Sequence, residues 1–256
     1  MKPNVLIIGA GGVAQVTAHK CAQHNDELGD IHIASRTVAK CEAIIDSIRD
    51  KGSMKTDGAL RAHALDATDS AAVAALIRDT GAGIVINVGS AFVNMHVLDA
   101  CLETGAAYMD TAIHEEPDKI CETPPWYANY EWKRRDACAG KGVTAILGVG
   151  FDPGVVNAYA RLAVDGYLDE VRSIDIVDVN AGSHGKYFAT NFDPEINFRE
   201  FTGTVYSWQD GAWQENSMFE VGKTWDLPVV GQQQAYMTGH DEIHSLATNY
   251  PQADVR

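Results

Sequence analysis

The stretch Val5-Leu6-Ile7-Ile8-Gly9-Ala10-Gly11-Gly12-Val13-Ala14 decides the fold. An apolar, β-branched run stops at a glycine and passes straight into a helix-forming segment, within a strand–helix–strand unit that reaches Ala34. In that context the spacing G-x-G-x-x-A is a dinucleotide-binding fingerprint. Gly9 permits the tight turn, Gly11 lets backbone approach a pyrophosphate, and Ala14 allows close packing of helix on sheet. Gly12 and Val13 open the helix, whose first N–H groups and positive dipole end attract phosphate.

Outward from this stretch, short β-branched runs alternate with segments of 3.6-residue apolar spacing. Strands are expected at 5–8, 31–34, 61–65, 84–88, 107–110 and 143–147, and helices at 38–49, 70–78, 93–103 and 127–139. Gly52, Gly81, Gly105 and Gly140 read as helix ends. Alternation of this kind predicts an α/β fold, a doubly wound parallel Rossmann sheet over residues 1–150. After Gly154 the texture changes to one helix (155–164), a strand-like run (173–179) and a hairpin turning at Gln209-Asp210-Gly211. Residues 151–256 therefore read as a second, α+β substrate or dimerisation domain. Asp254-Val255-Arg256 has neither a strand pattern nor a cap, which predicts a domain left partial.

Ligands of such sheets sit outside the carboxyl ends of the strands. A site for NAD usually carries an acid about 20 residues beyond the glycines, but here Ser35-Arg36-Thr37 stands at that place, with Lys40 one helical turn on. A hydroxyl, a guanidinium and an ammonium suit a 2′-phosphate, so NADP(H) is the expected cofactor. Further strand ends supply Asp66-Ala67, Val88-Gly89-Ser90 and Asp110-Thr111. Asp66 either accepts from the adenine amino group or caps the next helix. Val88, Gly89 and Ser90 would pass beneath the dinucleotide, and Asp110 would lie nearer the reacting end. Asp152, in Gly150-Phe151-Asp152-Pro153-Gly154, is either an active-site group or a cap for the helix that follows.

Composition narrows the function. The net charge of −15, from 20 Lys and Arg against 35 Asp and Glu, argues against nucleic acid and would suit a cationic ligand. No run is long enough for a membrane span or signal core, which points to a cytoplasmic protein. Five scattered cysteines without a Cys-x-x-Cys pair read as reduced thiols. His240-Asp241-Glu242-Ile243-His244 lacks the glutamate position and third ligand of a zinc protease, so no metal is expected; no G-x-S-x-G elbow occurs either.

The fingerprint, Ser35-Arg36-Thr37 with Lys40-Cys41, the Val88-Gly89 strand end, Tyr108-Met109-Asp110-Thr111 and Gly150-Phe151-Asp152-Pro153-Gly154 together resemble the saccharopine dehydrogenase family over the whole chain. Asn180-Ala181-Gly182-Ser183-His184-Gly185 and Met237-Thr238-Gly239-His240-Asp241-Glu242 point to its polyamine-forming branch. That resemblance implies an NADPH-dependent oxidoreductase, a homodimer, that condenses L-aspartate 4-semialdehyde with a diamine, 1,3-diaminopropane or putrescine, and reduces the imine. Asp110 and Asp152 would then be the catalytic acids. Arg199 would hold the substrate carboxylate unless it is spent in a salt bridge, and His184 would act as acid or base unless it is a solvent-facing loop residue. Two alternatives stand: a saccharopine reductase acting on a dicarboxylate substrate, and a non-catalytic dinucleotide-binding module. Family chains continue past the point where this one stops, so residue 256 is expected to interrupt the substrate domain.

Overall fold

The computed structural model describes residues 2–119, 123–179, 185 and 193–256. These fall into two compact units: Met1–Glu115 with Tyr127–Val149, and Glu116–Trp126 with Gly150–Arg256. Along the sequence the units change over between Val149 and Gly150, and residues 116–126 also group with the later unit.

The first unit runs β1 (Asn4–Ile8), α1 (Gly12–Gln23), β2 (Ile31–Ser35), α2 (Val38–Asp50), β3 (Leu60–Ala64), α3 (Ser70–Thr80), β4 (Ala82–Asn87), α4 (Asn94–Thr104) and β5 (Ala107–Met109). It continues through α5 (Trp126–Asn129), which begins at the unit boundary, then α6 (Arg135–Lys141) and β6 (Ala145–Ile146). The sheet order is β3-β2-β1-β4-β5-β6 and every pairing is parallel, the doubly wound Rossmann arrangement. Because side chains alternate along a strand, β1 serves both faces. Val5 and Ile7 pack with Ile31 and Ile33 beneath α1 and α2, whereas Leu6 and Ile8 pack with Val85 and Tyr108 beneath α3 and α4. Strands buried on both sides read as continuous apolar runs, which is why the first ten residues were so informative.

Two local expectations in this unit fail, and in the second unit the run expected as a strand over 173–179 is strand only at Ser173–Ile174. The segment 127–139 is not one helix: α5 stops at Asn129, a 3₁₀ turn spans Glu131–Arg134, and α6 follows. The break turns the Glu131 carboxylate into the interior, where it accepts from the His114 N–H at 2.7 Å. The left-handed residue closing α6 is Gly142, at φ 66°, rather than Gly140.

The second unit contains α7 (Val155–Gly166), β7 (Ser173–Ile174), α8 (Pro194–Glu200), β8 (Thr204–Gln209), β9 (Ala212–Ser217), β10 (Gly222–Leu227), β11 (Gly231–Tyr236), α9 (Glu242–Asn249) and β12 (Asp254–Val255). The expected hairpin forms β8 and β9, with Asp210 and Gly211 both at positive φ and Trp208 opposite Trp213. The terminal residues correct the sequence reading, since β12 lies between β7 and β8 in the sheet β7-β12-β8-β9. Its Val255 is fully buried with Ile243, Leu246 and Ala247 of α9. A two-residue strand is too short to show alternation. The same core holds His244 between the rings of Trp126 and Trp213, at centroid distances of 3.8 and 4.8 Å. Burial pushes its imidazole down to about 3.

Asn25 ties the turn after α1: its Oδ1 accepts from the N–H groups of Lys55 and Thr56 at 2.8 and 3.0 Å, and its Nδ2 donates to the Thr56 carbonyl at 2.6 Å. Asn25→Ala would orphan all three backbone groups, and should lower unfolding free energy by about 2 kcal/mol in a urea titration. A loss below a few tenths would mean that water replaces the amide.

Candidate functional site

The cofactor side is built on the turn from β1 to α1. Gly9 sits at φ 121°, and a Cβ there would lie 2.9 Å from the Gly89 nitrogen and from the carbonyl carbon and oxygen of Val88. No other residue fits between these two strand ends. A Cβ on Gly11 or Gly12 would meet nothing within 4 Å, so the space above them is open. Gly11 precedes α1 in extended conformation, without a side-chain cap, and the first turn of α1 carries no acid. Ala14 is fully buried on the other side of the helix. Uncapped N–H groups, a positive helix end and open room above glycine together fit a pyrophosphate.

At the end of β2, Ser35 Oγ accepts from the Thr37 N–H at 3.1 Å and donates to the Thr37 carbonyl at 3.0 Å, which fixes the turn. Arg36 and Lys40 are exposed, and among the described residues neither side chain has an ion pair or hydrogen bond. They fit a 2′-phosphate as unspent cations. Arg36 also lines a groove of about 510 Å³ with Leu65, Asp66, Ala72 and Leu76. Asp66 uses one oxygen to accept from the Thr68 N–H and hydroxyl, at 3.0 and 2.8 Å, and these bonds hold its carboxyl below the ordinary range. It is not the helix cap; Asp69 caps α3 by accepting from Ala71 and Ala72. Ala67 is half-buried against the α3–α4 core.

Sequence reading missed what lies under the next strand end. Buried Asn87 accepts from the Gly89 N–H at 3.1 Å and donates to Asn94 at 2.7 Å, and Asn94 donates to the Ala112 carbonyl at 2.8 Å. This ladder shapes Val88-Gly89-Ser90 from below, while Ser90 Oγ accepts from the Phe92 N–H. Two asparagines seven residues apart carry no motif, so only the fold reveals them. Asp110 is 1% exposed, and its carboxylate accepts from the Tyr108 hydroxyl at 2.9 Å and the Gly148 N–H at 2.6 Å. As placed, it braces β5 to the segment after β6 and turns away from solvent.

In the second unit, Asp152 does not cap α7. That place belongs to Gly154, whose N–H donates to Asn157 Oδ1. The Asp152 carboxylate instead joins His240, Glu200 and Glu242. His240 Nδ1 bonds Glu242, and its Nε2 lies 3.9 Å from both Asp152 and Glu200. The Glu242 side chain is 3% exposed, while those of Asp152, Glu200 and His240 are 21 to 27% exposed. Burial lowers the affinity of His240 for a proton, yet the Glu242 carboxylate and its neighbours outweigh that and carry the imidazole up to about 10. Burial raises the carboxyls of Asp152 and Glu200, with His240 opposing. When ionised, three carboxylates around one imidazolium make the group net anionic, which favours an ammonium beside them. Asp152, His240 and Glu242 also offer three ligand atoms within 4.8 Å of one another, whereas His244 belongs to the core.

Arg199 has a different job from the one expected. Its guanidinium donates to the carbonyls of Glu116, Pro117 and Lys119 and to the Glu195 carboxylate, so it clamps the 116–119 segment instead of waiting for a substrate acid. His184 lies outside the described residues.

Two outcomes follow from this geometry. Arg36→Ala should raise the NADPH dissociation constant by roughly 10- to 100-fold while leaving that of NADH nearly unchanged; equal loss for both nucleotides in fluorescence titrations would remove Arg36 from the 2′-phosphate. The unfolded His240 imidazole gives up its proton near 6.5 and the folded one near 10, so the cluster stabilises fully below pH 6.5 and progressively less up to about pH 10. Thermal melts of His240→Gln should lack that alkaline decline.

The model of the saccharopine dehydrogenase NADP binding domain matches residues 5–146. The carboxynorspermidine synthase of Vibrio alginolyticus is 43% identical over 248 residues, covering 96% of this chain and 60% of that protein. The carboxyaminopropylagmatine dehydrogenase of Synechocystis sp. is 44% identical over 247 residues, covering 96% and 59%. The chain therefore spans about three-fifths of the length of these curated relatives. Among solved structures, apo saccharopine dehydrogenase (L-Glu forming) from Saccharomyces cerevisiae superposes with a TM-score of 0.66 at 17% identity, over 99% of this chain and 54% of that one, a likeness of fold. With a family match across more than half its length and relatives 43 and 44% identical over 96% of it, the chain belongs to the saccharopine dehydrogenase family and carries that family's NADP-binding domain.

Proposed function

We propose that the chain is the cofactor-binding and amine-binding part of an NADPH-dependent enzyme of polyamine synthesis. The reaction condenses L-aspartate 4-semialdehyde with 1,3-diaminopropane or putrescine and reduces the product to carboxynorspermidine or carboxyspermidine. The observation that carries this reading is the anionic group Asp152, Glu200, Glu242 and His240, in a chain whose two relatives described above are named for polyamine products.

The chemistry asks for few groups. The amine adds to the aldehyde and water leaves, giving an imine that takes a proton to become an iminium. When bound, NADPH supplies the hydride. Gly9, Gly11 and Gly12 would receive its pyrophosphate and Ser35, Arg36 and Lys40 its 2′-phosphate. Asp152 and Glu200 titrate above the ordinary carboxylate range, so they can hold and release a proton closer to neutrality than free carboxyls do. Their charge, with that of Glu242, favours an ammonium group and an iminium over neutral forms. Asp110, buried and hydrogen-bonded, keeps a supporting role in this scheme.

A second reading comes from the Synechocystis relative, whose name carries agmatine rather than a simple diamine. A planar guanidino group asks for bidentate carboxylates, and the same cluster offers them. The homodimer implied by the family resemblance belongs to this proposal too.

The deciding assay is NADPH oxidation at increasing concentrations of aspartate semialdehyde with each amine in turn, on this chain and on a C-terminally extended form. Turnover with a diamine or an agmatine-type amine, and a KM for that amine raised about tenfold or more in Asp152→Asn, is the expected result. Turnover only with a dicarboxylate amine partner would move the assignment to saccharopine-type chemistry. Tight NADPH binding without turnover in the extended form would leave a dinucleotide-binding module.

A further inference from the structure

Glu131 is buried, at 3% exposure, in the 3₁₀ turn that replaces the expected helix. One carboxylate oxygen accepts from the His114 N–H, and the other, Oε2, has no hydrogen-bond partner among the described residues. Buried away from solvent, with only backbone N–H groups as donors and one oxygen unpaired among the described residues, the carboxylate is costly as an anion. Asp110 and the Tyr108 hydroxyl, acting on it from β5 and its end, make that worse, while Arg134 opposes them from a guanidinium whose Nε and Nη2 are on Asp99 and whose Nη1 is on the Tyr130 carbonyl. His114 contributes a backbone N–H, while its ring nitrogen Nδ1 bonds the Ala91 carbonyl.

This last bond matters for function. Ala91 follows the Val88-Gly89-Ser90 turn, and the Asn87–Asn94 ladder ties the same turn to Ala112. Glu131, His114 and Asn94 therefore support the cofactor-facing end of β4 from one side. We propose that Glu131 is a positioning residue that holds this support as a neutral carboxylic acid, so that proton binding and NADP(H) binding are linked. Burial, with Asp110 beside it, pushes the Glu131 carboxyl up to about 7, which places the exchange in the physiological range. An anionic dinucleotide laid over the turn excludes water and adds negative charge, and both favour the protonated acid. By reciprocity the protonated acid favours the dinucleotide. The inference rests on the NADP(H) site already described and deepens it.

The test is the pH dependence of NADPH affinity in this chain and in Glu131→Gln, whose amide oxygen keeps the His114 contact without a titrating proton. Wild-type affinity should fall on the order of tenfold between pH 6 and 8.5 beyond whatever the cofactor's own phosphate contributes, and the variant should keep its low-pH affinity across that range. Parallel profiles in the two proteins would overturn the proposal. Absence of NADPH binding at every pH in the wild type would overturn the cofactor reading itself and this inference with it. Carbon-13 titration of the wild-type Glu131 carboxyl decides the matter if the variant does not fold. A midpoint near neutrality that moves upward on adding NADPH supports the linkage, and a midpoint near 4 sinks it.

Discussion

The contact on which the first unit depends is the approach of Gly9 to Val88 and Gly89. Two strand ends and a helix start converge there with no room for a methyl group, and the consequences spread in both directions. Toward solvent, the close approach leaves the α1 N-terminus uncovered above Gly11 and Gly12. Toward the interior, it requires the β4 end to be held in one conformation, which the Asn87–Asn94 ladder and the His114–Ala91 bond accomplish with buried polar groups that are costly to leave unpaired. The anion-receiving turn is thus the visible rim of a polar scaffold that continues through β5 to Glu131.

The two units use charge in opposite ways. In the nucleotide-binding unit the informative cations, Arg36 and Lys40, are exposed and make no ion pair or hydrogen bond among the described residues. In the second unit the carboxylates of Asp152, Glu200 and Glu242 are drawn around one imidazolium, while Arg199 is consumed by backbone carbonyls. A chain with a large acidic excess could carry its charge as a diffuse solvated coat. Here part of it is concentrated and half-buried, where desolvation makes each carboxylate seek a proton or a cation.

The Rossmann sheet was legible because its information is local: strands buried on both faces are continuously apolar, and a glycine turn with fixed spacing follows the first of them. The NADP(H) preference was legible for the same reason, as an acid missing from the end of β2. Less legible were residues whose roles are set by distant partners. Nothing near Asp110 in sequence announces that the Gly148 N–H will occupy its carboxylate, and nothing near Arg199 announces three carbonyls some eighty residues earlier. Apolar spacing over 127–139 does not reveal the 3₁₀ turn at Glu131–Arg134 that divides it, and β12 escaped notice because two residues show no period. Asp152 and His240 were singled out separately, in different motifs, and only the fold brought them together.

The indole rings offer a last consequence. Of the five tryptophans only Trp132 lies in the nucleotide-binding unit, and two of the remaining four, Trp126 and Trp213, flank the ring of His244. Burial keeps the imidazole between those two rings neutral well below its ordinary range. The chain's own fluorescence therefore comes chiefly from the second unit, with Trp132 alone reporting on the first.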